Sequence, residues 1–277
     1  MKLKLLTAFA VVSVAVLSTS GCSFGVLDNE YQYSVVQKNS SASDSLSALE
    51  SSSSADASSS SSGSSKDESA SHYEGFAFAS ADRSNGVVIT EYNGQDKNAV
   101  VPSSIHGEKV VGIGEFAFGK EVERVLIPAS VAEISPHAFD AASALDTIDV
   151  DGNNPNYCAF GGMLYSKDMS VLIRCPLGKQ GQVAVEKGVA QIGKFAFFNC
   201  ANVKEITLPD GIASIQTCAF SNCKGLDSVF IPASVSFIAH DAFAGCTGLR
   251  DIYVSEDVFE KVANKWVPSA NCNVHFY

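Results

Sequence analysis

Positive charge is scarce in this sequence: 19 Lys plus Arg stand against 30 Asp plus Glu, a net charge of −11 over 277 residues. Nucleic acid is a poor fit as the main partner, because neutralising phosphates takes clustered basic side chains. C-x-x-C, H-E-x-x-H, a nucleophile elbow and an isolated carboxylate pair are all missing. Their absence removes the usual signatures of zinc, redox and hydrolytic sites, so no metal, cofactor or catalytic residue is expected. The apolar stretch Leu5 to Leu17 has 13 residues, short of the roughly 20 that a membrane-spanning helix needs. What is abundant is hydrophobic side chain, 46% of the total, enough for one or two cored domains and incompatible with wholesale disorder or collagen.

Three unlike segments make up this average. Residues 1–22 read as an export signal: Lys2 and Lys4 precede the apolar run, and Leu17-Ser18-Thr19-Ser20-Gly21-Cys22 follows it. That ending resembles the lipobox of bacterial lipoproteins, which implies diacylation of Cys22 and a lipid anchor on a membrane surface. Thr19 stands where the pattern usually has Leu, and the competing reading is ordinary secretory cleavage with Cys22 incidental. Residues 23–72 read as a tether. From Ser40 to Ser71, 18 of 32 residues are Ser, a composition that buries too little apolar area to offset ordering entropy. As a flexible coil the segment spans roughly 35–42 Å, enough to present a module away from its anchor; a low-complexity tail with no presenting role is the alternative. Residues 73–277 are the folded part.

That part is built on a repeat. Ala-Phe recurs at Phe118, Phe139, Phe197, Phe220 and Phe243, each preceded four or five residues earlier by an isoleucine: Ile113, Ile134, Ile192, Ile215 and Ile238. An apolar triplet follows each time, as in Val122/Val125/Ile127 or Leu226/Val229/Ile231, and Pro128, Pro209 and Pro232 close three of them. Alternation within a triplet predicts a short strand, and proline ends it by removing a ladder donor. A 23-residue unit with one strand cannot close a core alone. Stacked units can, with a parallel sheet on one face and turns on the other. The 58-residue step from Phe139 to Phe197 predicts an insertion at about 151–185, with Met163–Ser166 and Val171–Cys175 as a hairpin. Ser255 can N-cap a helix reaching about Trp266 over the last rung, with Asn273 to Tyr277 finishing the stack, and Tyr73 to Val101 caps the other end, with Val87 to Thr90 as a strand.

The motif AFSNCKGLDSVFIPASVSFI, together with VVITEYNGQDKNAVVPSSIHGEKVVGIG and NNPNYCAFGGMLYSKDMSVLI, resembles the BspA-like, or treponemal-type, leucine-rich repeats over about 73–277. The resemblance implies an α/β-type repeat solenoid of about five 23-residue repeats, with the hairpin insertion and a C-terminal capping helix. It also implies a cell-surface module that binds a protein ligand, host extracellular matrix or another cell.

Cys200, Cys223 and Cys246 fall 23 residues apart, at one place in three repeats, and predict a ladder of buried thiols behaving as small apolar groups. Rung spacing also lets one pair oxidise, and Cys158 with Cys175 is a candidate bridge across the insertion. The five histidines, His137 among them, have no shared phase and read as surface or turn residues.

With the triplets inward, the next column outward reads Leu126, Asp149, Thr207, Phe230 and Tyr253. Phe230 and Tyr253, flanked by Arg250 and Asp251, are the candidate contact patch, since exposed aromatics beside Arg mark interface anchors. The alternative is that the C-terminal helix covers them. Three functions compete: a surface adhesin or binding module, an envelope scaffold with a bacterial partner, and an exported enzyme.

Overall fold

The computed structural model describes residues 75–81, 86–262 and 272–277, so the signal with Cys22, the tether, Tyr73 and Trp266 lie outside the described residues. The N-terminal half contains β1 (Phe76–Ser80), β2 (Val87–Tyr92), β3 (Asn98–Val100), β4 (Ser104–Ile105), β5 (Glu108–Ile113), β6 (Arg124–Ile127), β7 (Glu133–Ile134) and β8 (Thr147–Val150). The inserted segment forms β9 (Tyr157–Phe160), β10 (Met163–Ser166) and β11 (Val171–Arg174). The C-terminal half holds β12 (Gly181–Ala184), β13 (Gln191–Ile192), β14 (Val203–Thr207), β15 (Ser214–Ile215), β16 (Ser228–Ile231), β17 (Phe237–Ile238), β18 (Asp251–Val254), α1 (Glu256–Val262) and β19 (Asn273–Phe276).

Each regular coil contributes two strands. The triplet strands stack in parallel as β3-β6-β8 and, beyond the insertion, as β12-β14-β16-β18-β19, eight rungs in all. Their alternation is as the sequence predicts: Val125 and Ile127, Val229 and Ile231, Ile252 and Val254 are buried while the residue between them is exposed. The isoleucines ahead of each Phe form a second parallel ladder of two-residue strands, with Ile192, Ile215 and Ile238 in register. Two facing ladders close each coil without a helix. The α/β character is therefore corrected: the one helix among the described residues has seven residues, and turns fill the rest. Five repeats likewise become eight rungs. The hairpin is present, with β10 antiparallel to β9 and β11, but β12, inside the expected insertion, is already the rung beneath β14.

Helix α1 starts as expected at Ser255, whose Oγ accepts from Val258 N at 3.3 Å, and buries Val258 and Val262. It does not end the stack, because β19 pairs with β18 after it. Val87 to Thr90 lies in β2, which joins β1 in an antiparallel pair and runs parallel to β5.

Phenylalanines pack the coil interior in two stacks. Phe118 lies on Phe139 at 5.4 Å, and Phe220 lies between Phe197 at 5.1 Å and Phe243 at 4.9 Å. Two residues after each of the last three comes a left-handed position, Asn199 (φ 63), Asn222 (φ 60) and Gly245 (φ 73), the residue types that tolerate it at least cost. This tight turn delivers Cys200, Cys223 and Cys246 inward, all buried. The thiols of Cys223 and Cys246 donate one rung back, to Phe197 O at 3.1 Å and Phe220 O at 2.9 Å. Cysteine recurs here because the slot takes a small apolar group with one weak donor. All seven cysteines of the described residues are free thiols.

Candidate binding face

Strand register sets the outer face of the C-terminal ladder as two columns. Gln182, Glu205, Ser228, Asp251 and Asn273 form one; Ala184, Thr207, Phe230, Tyr253 and His275, two residues on along each strand, form the other. All ten are exposed or half-buried, and none is Lys or Arg. Phe230 and Tyr253 are neighbours across β16 and β18 and keep 45% and 39% of their surface in water. Helix α1 does not cover them; its Phe259 meets Phe276 edge-on at 5.4 Å. The chain end stacks on them: Tyr277 lies on Phe230 at 4.6 Å and His275 on Tyr253 at 4.7 Å, and the Tyr277 hydroxyl donates to Ile231 O at 2.9 Å. Two stacked ring pairs result, and the second member of each, Tyr277 or His275, carries no repeat signature.

The two flanking charges separate. Arg250 sits 3.6 Å from Asp227 at the edge, both well exposed. Asp251 lies on the face, where Oδ1 takes His275 Nε2 at 2.7 Å and Asn273 Nδ2 at 3.1 Å. The bond to His275, then that to Asn273, hold its carboxyl below the usual carboxylate value. Glu205 Oε2 accepts from Gln182 Nε2 at 2.6 Å. In the N-terminal ladder Leu126 is exposed, and Asp149 is ion-paired with Arg124.

The thiol ladder has a fourth member. Cys175 N donates to Ala196 O at 2.7 Å, the bond that Phe197 makes to Ala219 and Phe220 to Ala242, so Cys175 takes a phenylalanine's place in a shortened coil. The Cys200 thiol donates to its carbonyl at 3.7 Å. Burial, then the Cys200 thiol, push Cys175 well up; a bond to Cys246, then burial, raise Cys223, while the same bond holds Cys246 below its usual value. Cys158 points elsewhere, to Ser166 O at 3.1 Å and Met169 Sδ at 3.2 Å, so it makes no bridge to Cys175.

Sequence reasoning also missed a buried polar cluster where the insertion meets the repeats. Arg174 is 2% exposed; its Nη2 lies 2.8 Å from Asp140 Oδ1, and its guanidinium donates to Phe195 O at 2.9 Å and Phe198 O at 3.4 Å. Asp140 Oδ2 meets His137 Nδ1 at 2.8 Å, and the His137 ring lies 4.6 Å from that of Phe195. His137 lies in a turn, as one of the two readings of the histidines had it, and is also packed into this junction. No cluster of three His, Cys, Asp or Glu among the described residues could hold a metal ion, and no helix among them is long and apolar enough to cross a membrane.

Several solved proteins are similar to this chain. A leucine-rich repeat protein from Eubacterium ventriosum is 30% identical with a TM-score of 0.49, over 55% of this chain and 40% of its own. The pneumococcal vaccine antigen PcpA is 19% identical with a TM-score of 0.41, over 56% of this chain and 50% of its own. A leucine-rich repeat protein of T. pallidum is 26% identical with a TM-score of 0.33, over 65% and 69%. The chain therefore spans half or less of the length of the first two. No curated protein matches it. The family model for the BspA type leucine rich repeat region matches six copies, over residues 98–161 and 178–266. With more than half of its length so matched, the chain belongs to the BspA-type leucine-rich repeat family.

Proposed function

We propose that the chain is an exported surface protein, anchored by lipid at Cys22 and held out on the 23–72 tether, whose repeat domain binds a protein ligand on host matrix or a neighbouring cell. The observation that carries this reading is the pair of exposed aromatics, Phe230 and Tyr253, on adjacent rungs of a regular sheet face. Large rings held open on a rigid ladder lose little entropy on contact, which suits them as interface anchors. Chemistry is not part of the proposal: the family is a repeat scaffold, and the sequence carries no catalytic signature.

The face is small. Five rungs about 4.8 Å apart and strands of four residues give roughly 300 Å², against about 800 Å² per partner in a stable interface. A single contact is accordingly weak, and many copies anchored on one cell supply avidity.

The test presents the full chain, multimerised on beads, to immobilised host matrix proteins and to the envelope fraction of the producing bacterium. Capture of matrix or whole host cells supports adhesion, capture of envelope alone makes the chain a scaffold, and capture of neither removes the binding role. Labelling with a palmitate analogue tests the anchor: Cys22→Ser abolishes the label and releases the protein, and membrane retention unchanged by that substitution contradicts it.

A further inference from the structure

The chemistry of the same face narrows the partner, on the footing of the binding role just proposed. Its ten outward positions hold two carboxylates, Glu205 and Asp251, and no Lys or Arg. Each carboxylate spends one oxygen inside the face. Glu205 Oε2 takes Gln182 at 2.6 Å, and Asp251 Oδ1 takes both Asn273 at 3.1 Å and His275 at 2.7 Å. Glu205 Oε1 and Asp251 Oδ2 are left to face a partner. Asp251 and Tyr253 lie two residues apart on one side of β18, about 7 Å along the strand, so a carboxylate and an exposed ring stand within reach of one long cationic side chain. Over 73–277 acidic residues outnumber basic ones 23 to 15; the basic side chains beside the face are Lys204 and Arg250, each preceding a carboxylate in sequence, and Arg250 is 3.6 Å from Asp227.

We infer that this face takes an extended polypeptide segment bearing Arg or Lys, whose charged ends meet Glu205 and Asp251 and whose stems lie on Phe230 and Tyr253. With one face of Phe230 on Tyr277 and one face of Tyr253 on His275, a cation has the opposite face of either ring to lie on, and a neighbouring carboxylate holds the head group there. Arg fits best, since a planar guanidinium both stacks on a ring and forks to a carboxylate. An acidic segment would meet like charge and be rejected, which gives the face selectivity despite its small area.

The test uses the full chain and a fluorescent peptide of about ten residues alternating Arg with Ser. Two controls replace every Arg by citrulline, which keeps shape without charge, or by Glu. Fluorescence anisotropy should show the Arg peptide binding, the citrulline peptide about tenfold weaker or less, and no binding of the Glu peptide. Raising salt should weaken the Arg peptide. Glu205→Gln with Asp251→Asn should weaken it about three- to tenfold, as two exposed charge pairs allow. Phe230→Ala or Tyr253→Ala should cost about two- to fivefold each, the range for an exposed cation–π contact. Thermal midpoints close to that of the natural chain confirm that the variants fold. Equal binding of the Arg and citrulline peptides, no binding of either, or indifference to Glu205→Gln with Asp251→Asn overturns the inference. The two proposals fail separately. Bead capture lost on Phe230→Ala with Tyr253→Ala but untouched by the carboxylate changes leaves the binding role standing without its cationic partner. Capture untouched by either pair removes the binding role of this face.

Discussion

Replacing Arg174 by Met tests how the two halves of the solenoid are joined. Buried apolar residues fall into two clusters, one from Val87 to Ile148 with Leu164, the other from Met163 to Val262, and Arg174 lies where they meet. Its guanidinium neutralises Asp140 of the first half at 2.8 Å and donates to the carbonyls of Phe195 and Phe198 in the second. Methionine keeps the length of the stem and fills the gap, so the substitution isolates charge and donors from volume. It strands the Asp140 carboxylate, 4% exposed, with His137 as its remaining side-chain partner. Breaking a buried pair in this way costs about 3–5 kcal/mol, a large share of the roughly 5–15 kcal/mol that holds a domain folded. Coils in a solenoid touch only their neighbours, so a weak junction lets the halves unfold separately. Urea unfolding followed by circular dichroism reports the whole chain, and pulsed alkylation of Cys200, Cys223 and Cys246 reports the C-terminal half. The two probes should coincide in the natural protein and separate in Arg174→Met. Adding Asp140→Leu removes the stranded charge and should recover most of the loss. A cost below about 1 kcal/mol for Arg174→Met, or a double variant as unstable as the two single losses added together, would refute the role assigned to the pair.

Further consequences follow from the packing and the turns. Phe220→Ala removes a fully buried ring from between two others and should cost about 3–5 kcal/mol by calorimetry, more than any exposed ring; a loss under about 1 kcal/mol contradicts the stack. In native protein, mass spectrometry after brief alkylation should find label on half-exposed Cys158 and Cys272 while Cys175, Cys200, Cys223 and Cys246 stay protected until unfolding; equal labelling of all six opposes the buried ladder. The Ser166 hydroxyl, then the Ser170 backbone N–H and hydroxyl, hold the Asp168 carboxyl down to about 2 from an ordinary 3.8. A carboxyl lowered by folding adds stability above its unfolded value and loses that contribution as the pH falls from about 4 towards 2. Carbon NMR should therefore place its midpoint near 2, and a midpoint near 3.8 would remove the turn's hydrogen bonds from the account.

What could be read in advance was whatever repeats. The triplets show their inward and outward sides because side chains alternate along a strand, and that alone places Phe230 and Tyr253 outside. The second ladder was hidden, since strands such as Ser214–Ile215 are too short to alternate. Cys175 was hidden because it stands at a phenylalanine's place, 22 residues before Phe197 instead of 23, and so falls out of phase with Cys200, Cys223 and Cys246. His275 and Tyr277 follow the last matched copy, which ends at residue 266, so nothing in their spacing tied them to Phe230 and Tyr253. The Arg174–Asp140 pair joins residues 34 apart across an insertion, and a single buried ion pair leaves no periodic trace.

On the proposed function, the outer sheet face of the last rungs is where the chain meets its partner. Bead capture by the full chain carrying Phe230→Ala and Tyr253→Ala, compared with the natural chain at the same density, tests it most directly. Both rings are partly exposed and outside the core, so the double variant should stay folded, with a thermal midpoint lowered only by the loss of the Tyr277 and His275 stacks. Capture should fall by about tenfold or more, because avidity multiplies the loss at each weak contact. Undiminished capture by a folded double variant would contradict the account.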